Sequence, residues 1–99
     1  LGMMRDKDHR GFVEPLRGLV DEVVLTQADL PRSATAQELR ASLEGLLPHP
    51  HVVPSLSGAM ALARELATPD GLVCVTGSLI LVGECKAWFR GCGLSPLRG

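Results

Sequence analysis

Gly71-Leu72-Val73-Cys74-Val75-Thr76-Gly77-Ser78-Leu79 is the stretch whose reading decides the fold. Its first five residues read as a short buried strand, and Leu79 to Arg90 reads as a helix. A Thr76-Gly77-Ser78 turn between them presents free backbone N–H groups, a glycine and a hydroxyl at one spot. In an open α/β sheet that spot, past the end of a strand and at the start of a helix, is where anions bind. Many α/β domains use such a turn only as a connection, so its weight comes from the rest of the chain.

Upstream, Ser57 is expected to cap a helix carrying Met60, Leu62, Ala63 and Leu66. Thr68-Pro69-Asp70-Gly71 closes that helix with a preset φ, a side-chain-bonded Asp and a free glycine. His51-Val52-Val53 is a short strand stopped by Pro54. Before it, Ser33 or Thr35 caps a helix, and Glu38 completes a capping box with Thr35. Leu39, Leu43, Leu46 and Leu47 form its buried stripe, and Pro48-His49-Pro50 ends it. Val23-Val24-Leu25 reads as a strand, followed by a polar loop from Thr26 to Arg32. Residues 10–19 read as an amphipathic helix on Phe12, Val13, Leu16 and Leu19, with Pro15 and Gly18 working against it. Leu1-Gly2-Met3-Met4 reads as the exit of a strand whose body is missing, and an opening at Leu1 rather than methionine suggests a piece of something longer. Strands alternating with helices imply a parallel sheet with right-handed crossovers, a small doubly wound α/β layer.

The bulk properties narrow the choices. At 99 residues and 10.5 kDa there is room for one domain; residues 1–90 are assigned to it and residues 91–99 to a loose tail. The chain is 45% apolar but 3% aromatic, so the core is aliphatic. Ten basic against eleven acidic residues leave a net charge of −1. That balance supplies no electrostatic reason for nucleic acid or an acidic membrane as partner. No apolar run reaches the ~20 residues that span a bilayer. Cys74, Cys85 and Cys92 have no paired spacing, so all three read as reduced thiols in the cytoplasm, Cys74 as a small buried hydrophobe. His9, His49 and His51 lack ligand spacing and read as surface residues. Gly91-Cys92-Gly93 follows a helix, not a strand, which removes it as a nucleotide fingerprint. Trp88 and Phe89 are assigned to packing of the last helix.

Three segments in register carry a resemblance: Gly2-Met3-Met4-Arg5-Asp6-Lys7-Asp8; Pro31-Arg32-Ser33-Ala34; and Val75-Thr76-Gly77-Ser78-Leu79 with Val82-Gly83-Glu84. Together they resemble the C-terminal domain of folylpolyglutamate synthase and of the related dihydrofolate synthase, with the Mur ligases as more distant relatives. The resemblance implies a small, mostly parallel three-layer α/β/α sheet, Rossmann-like and of the Mur ligase C-terminal type, lacking its first strand. It also implies an ATP-dependent ligase of folate and one-carbon metabolism. There an N-terminal domain holds ATP and Mg²⁺, the folate carboxylate is phosphorylated, and the amine of L-glutamate attacks. The glutamate is held largely by the C-terminal domain. This sequence lacks the phosphate loop, since no glycine precedes a lysine, and it lacks the family's Asp-Gly-Ala-His-Asn segment. The fragment is therefore expected to be inactive alone and to bind neither ATP nor Mg²⁺, with folate and ATP reached through a missing N-terminal domain.

Carried onto this chain, the resemblance makes Lys7, Arg32, Thr76, Gly77 and Ser78 the glutamate-binding candidates, with Arg5 and Asp6 as loop or interdomain contacts. Each has a plainer reading. Lys7 sits in a charge run where it can pair with Asp6 or Asp8, Ser78 can be a simple helix cap, and Arg32 can pair with Asp29. The contrasting function is a stand-alone, non-catalytic α/β ligand-binding or interaction module. A phospho-receiver domain fits poorly, because its acidic cluster and late lysine are not in place. An open sheet edge also predicts self-association.

Overall fold

The computed structural model describes residues 1–91, so Cys92 and nearly all of the assigned tail lie outside the described residues. Two short strands, β1 (Val24–Leu25) and β2 (His51–Val52), run parallel with Val24 opposite His51 and Leu25 opposite Val52. Four helices follow the expected alternation: α1 (His9–Val13), α2 (Ala36–Ser42), α3 (Leu56–Leu66) and α4 (Leu79–Gly91). Gly91 is thus the last turn of a helix, one residue beyond the boundary expected from sequence. Helices α1 and α2 pack together on one face of the sheet, and α3 and α4 pack together on the other.

The α1/α2 side holds the core. Leu25, Ala34, Ala36 and Leu39 are fully buried, and Met3, Val13, Leu43 and Leu46 join them. The capping box at the start of α2 forms in full: the Thr35 hydroxyl accepts from the Glu38 N–H, and the Glu38 carboxylate accepts from the Thr35 N–H, each at 3.0 Å. The helix is shorter than its leucine stripe suggests. It ends at Ser42, where the Arg10 guanidinium takes up the Ser42 and Glu44 carbonyls at 3.2 and 2.9 Å, and Gly45 at φ +79° turns the chain away. Leu43 and Leu46 are buried from the turn that follows.

Two other boundaries differ from the sequence reading. Instead of one helix over 10–19, the five residues of α1 are capped by Asp8 and lead into a single 3-10 turn, Glu14–Leu16. Pro15 has no N–H to continue an α-helix, and Gly18 at φ +82° turns the chain away. Helix α3 starts at Ser55 rather than Ser57, with the Ser55 hydroxyl accepting from the Gly58 N–H at 3.2 Å. Ser55 is the first residue free to cap once Pro54 has ended β2.

The largest difference lies in Gly71–Val75. This segment is not a strand: no backbone hydrogen bond among the described residues reaches Leu72–Val75, Leu72 is 91% exposed, and Cys74 is exposed rather than buried. Among the described residues, its backbone hydrogen-bonded link to the sheet comes just past its end, where the Gly2 N–H donates to the Thr76 carbonyl at 3.3 Å. Leu1 in turn is tied to β1: its amino group donates to the Val24 carbonyl at 2.8 Å, and the Thr26 N–H donates to the Leu1 carbonyl at 2.9 Å. That is the bonding of a parallel pair with Leu1 opposite Leu25. The spatial order is therefore β2, β1, the Leu1–Gly2 backbone, then Thr76.

Candidate functional site

Four connections meet at the carboxyl edge of this sheet: residues 3–8, 26–34, 53–55 and 76–78. Three of them are fixed to one another by backbone, and the Thr26 hydroxyl donates to the Pro54 carbonyl of the fourth at 3.2 Å. The Arg5 N–H donates to the Arg32 carbonyl at 2.8 Å, and the Ala34 N–H to the Met3 carbonyl at 2.9 Å, forming an isolated antiparallel bridge between Met4 and Ser33. The Gly2–Thr76 bond brings in the third segment.

Arg5 is the fastener. Its guanidinium meets the Glu38 carboxylate in a two-pronged pair at 2.9 and 3.0 Å, and also donates to the carbonyls of Pro31 at 2.8 Å and Ser33 at 3.2 Å. The pairing holds the Glu38 carboxyl at about 2, well below its ordinary range. His9 is a second fastener that sequence reasoning missed. Its Nε2–H donates to the Met4 carbonyl at 2.9 Å, and its Nδ1 is hydrogen-bonded to the Ser42 hydroxyl at 3.0 Å. The ring is half-buried, not a free surface group. Glu84 of α4 is a third, accepting the Asp29 N–H with both oxygens at 3.2 and 3.1 Å beside an open hollow of about 580 Å³. Its only signal in the sequence was its place in the Val82-Gly83-Glu84 segment.

The remaining candidates look outward. Lys7 and Arg32 are exposed, and neither makes an ion pair with a described carboxylate. Asp8, the expected partner of Lys7, instead accepts from the Gly11 N–H at the start of α1 at 3.0 Å. The Asp29 backbone is held by Glu84, and the Asp29–Arg32 pair is not formed. Asp6 is exposed in the same turn. Ser78 caps α4, its hydroxyl accepting from the Leu81 N–H at 3.2 Å while its carbonyl accepts from Val82 at 3.0 Å. The N–H groups of Leu79 and Ile80, both exposed residues, have no such partner. Gly77 is glycine for the sake of its own chain. Its φ is +105°, and a Cβ there would run into the Gly2 carbonyl, so its own chain makes the close approach rather than a ligand. Among the described residues, no group of three His, Cys, Asp or Glu side chains gathers to hold a metal.

The profile of the Mur ligase glutamate ligase domain matches residues 1–79. The chain belongs to that family. A probable bifunctional folylpolyglutamate synthase/dihydropteroate synthase from Haloferax volcanii is 36% identical over 91 residues, which is 90% of this chain and 11% of that protein. The structure is also similar to that of a bifunctional folylpolyglutamate synthase/dihydrofolate synthase from Yersinia pestis, solved with AMPPNP and a Mn ion. That match has a TM-score of 0.78 at 28% identity, over 90% of this chain and 21% of the other. The fold read from the sequence, a small parallel α/β domain of the folylpolyglutamate synthase C-terminal type, is the one observed. The chain spans about a tenth and a fifth of these two proteins, and no described helix is long and apolar enough to cross a membrane.

Proposed function

We propose that residues 1–91 form the part of an ATP-dependent folylpolyglutamate synthase that holds the incoming L-glutamate and presents its amine to an activated folate carboxylate. One observation carries the proposal. Lys7 and Arg32, two cations without ion-pair partners among the described residues, share a sheet edge with the open N-terminus of α4, while the neighbouring Arg5 is engaged by Glu38 and two carbonyls. Glutamate is a dicarboxylate, and an ammonium, a guanidinium and a set of free helix N–H groups are what two carboxylates require. Ser78 shapes that terminus as its cap, and Thr76 and Gly77 set the turn before it.

The domain's contribution is positional. Fixing the amine at attack distance from a second bound reactant removes an entropic part of the barrier without any acid or base from this chain. The described residues offer neither a phosphate loop nor a metal cluster, so ATP, Mg²⁺ and folate are assigned to another part of the protein, and the domain alone is expected to be inactive. Cys74 and Cys85, both free thiols, suit a cytoplasmic enzyme.

The test is a chimera in which residues 1–91 replace the matching segment of the Yersinia pestis enzyme. The chimera is expected to release ADP in a glutamate-dependent way. Lys7→Ala, Arg32→Ala and Ser78→Ala should each raise the KM for glutamate with little change in kcat. Unchanged KM in all three variants would remove these residues from the site.

A further inference from the structure

Among the described residues Lys7 has no ion-pair partner, yet the turn that carries it is pinned at both ends to one helix. On the N-terminal side, the Arg5 guanidinium pairs with the Glu38 carboxylate in the first turn of α2, at 2.9 and 3.0 Å. On the C-terminal side, Nδ1 of His9 is hydrogen-bonded to the hydroxyl of Ser42, the last residue of α2, at 3.0 Å. Asp6 and Lys7 stand exposed between the two pins.

The closure of the turn shows which pin bears on Lys7. Its backbone hydrogen bond, from the Lys7 N–H to the Met4 carbonyl, measures 3.3 Å, which is long for an N–H···O contact. A carbonyl oxygen has a second lone pair, and here it accepts the His9 Nε2–H at 2.9 Å. The imidazole therefore supplies the shorter of two bonds to the oxygen that closes the turn. Helix α1 aims it there. The Asp8 carboxylate caps that helix through the Gly11 N–H at 3.0 Å, which makes His9 its first residue. Val13, one helical turn along the same face, is buried in the core with Leu39 and Leu43. Arg10 joins the same helix to the Ser42 and Glu44 carbonyls at 3.2 and 2.9 Å, so α1 and the end of α2 are tied by two neighbouring side chains.

We propose that His9 is a positioning residue for Lys7. It fixes the backbone from which the ammonium reaches a ligand carboxylate, and it does not touch the ligand. The proposal rests on the reading of Lys7 as a glutamate-binding cation. The long stem of a lysine leaves its ammonium many positions, and a fixed Cα removes the part of that freedom that the backbone would add. Arg5 secures the other end of the turn, but it holds the Pro31 and Ser33 carbonyls as well and so serves the whole edge. The His9 ring serves the Met4 carbonyl and Ser42.

Variants of the chain of residues 1–99 separate positioning from folding. In His9→Gln the side-chain amide reaches as far as Nε2 and keeps a donor on the Met4 carbonyl. In His9→Asn it reaches only as far as Nδ1 and keeps Ser42. L-Glutamate is titrated with backbone amide shifts as the readout, and unfolding midpoints are measured alongside. Both variants are expected to lower the midpoint by similar amounts, since each gives up one hydrogen bond. Only His9→Asn is expected to raise the Kd for glutamate, by about threefold to tenfold, the factor that one net hydrogen bond supplies. Added to Lys7→Ala, the same change should have no further effect on Kd. Equal Kd for His9→Gln and His9→Asn, while Lys7→Ala weakens binding, would overturn the positioning role and leave the glutamate site standing. So would an undiminished effect of His9→Asn in the Lys7→Ala background. An unchanged Kd in Lys7→Ala, or no saturable shifts at all, would remove the glutamate reading itself and this proposal with it.

Discussion

The two sides of this small sheet are built to different standards. Around β1, β2 and α2, the capping box and the leucine stripe named by local sequence are engaged, and Arg5 adds a fastener to Glu38 that only the fold brings together. Beyond Leu1 and Gly2, Gly71–Val75 has the composition of a strand and none of its bonds. The difference teaches that a strand is a property of its neighbours. Thr35 and Glu38 cap a helix from three residues apart, using only each other. Leu72 and Val73 need a partner from elsewhere, and without one their apolar side chains stay in water.

Core truncation gives the largest contrast between the two sides. Leu39→Ala removes a fully buried side chain and is expected to cost about 2–5 kcal/mol, whereas Leu72→Ala should stay within about 0.5 kcal/mol. Chemical denaturation of both variants checks this, and comparable losses would erase the contrast. Gly77→Ala sits where the two sides meet. A left-handed φ and the Gly2 carbonyl both oppose a methyl group, and a loss of at least ~1 kcal/mol is expected. Thr35→Ala leaves the Glu38 N–H without its cap and should cost about 1 kcal/mol.

Two smaller effects appear in pH dependence. Burial lowers the Leu1 amine from its ordinary 8.0 to about 6 in the folded chain. Between those values the unfolded chain binds more protons than the folded one, so stability should rise as pH climbs from about 6 to 8. An added residue before Leu1 removes the amine and should flatten that window. Glu38 acts in the same direction in a lower pH window. Its folded value near 2 means that its contribution is complete above about 4.5 and fades as pH falls toward 2. Arg5→Ala should weaken that fading, leaving the part that the Thr35 hydrogen bonds maintain, with a small effect on total stability because the pair is half exposed. Unfolding midpoints across the pH range test both.

What the sequence made legible follows the same division. The order of the helices, the parallel pairing of the strands around Val24 and His51, the cap at Thr35 and the helix from Leu79 were readable, because periodicity and capping act over a few residues. Ser55 was missed for Ser57 because two serines of equal capping ability lie two residues apart, and only the end of β2 at Pro54 chooses between them. His9 and Glu84 were not legible as fasteners, since their partners Ser42 and Asp29 are brought to them only by the fold. At the site, sequence placed Lys7, Arg32 and Ser78 on one edge, and the plainer pairings it offered, Lys7 with Asp6 or Asp8 and Arg32 with Asp29, are not formed among the described residues. The thiol of Cys74 was misplaced with its strand.

The most direct test of the central claim is a map of backbone amide shifts as L-glutamate is titrated into the chain. Binding at the sheet's carboxyl edge predicts saturable shifts at Gly77, Ser78, Leu79 and Ile80 and in the turn around Lys7, lost in Lys7→Ala. Saturable shifts confined to Val24 and Cys74, or none at the N-terminus of α4, would contradict it.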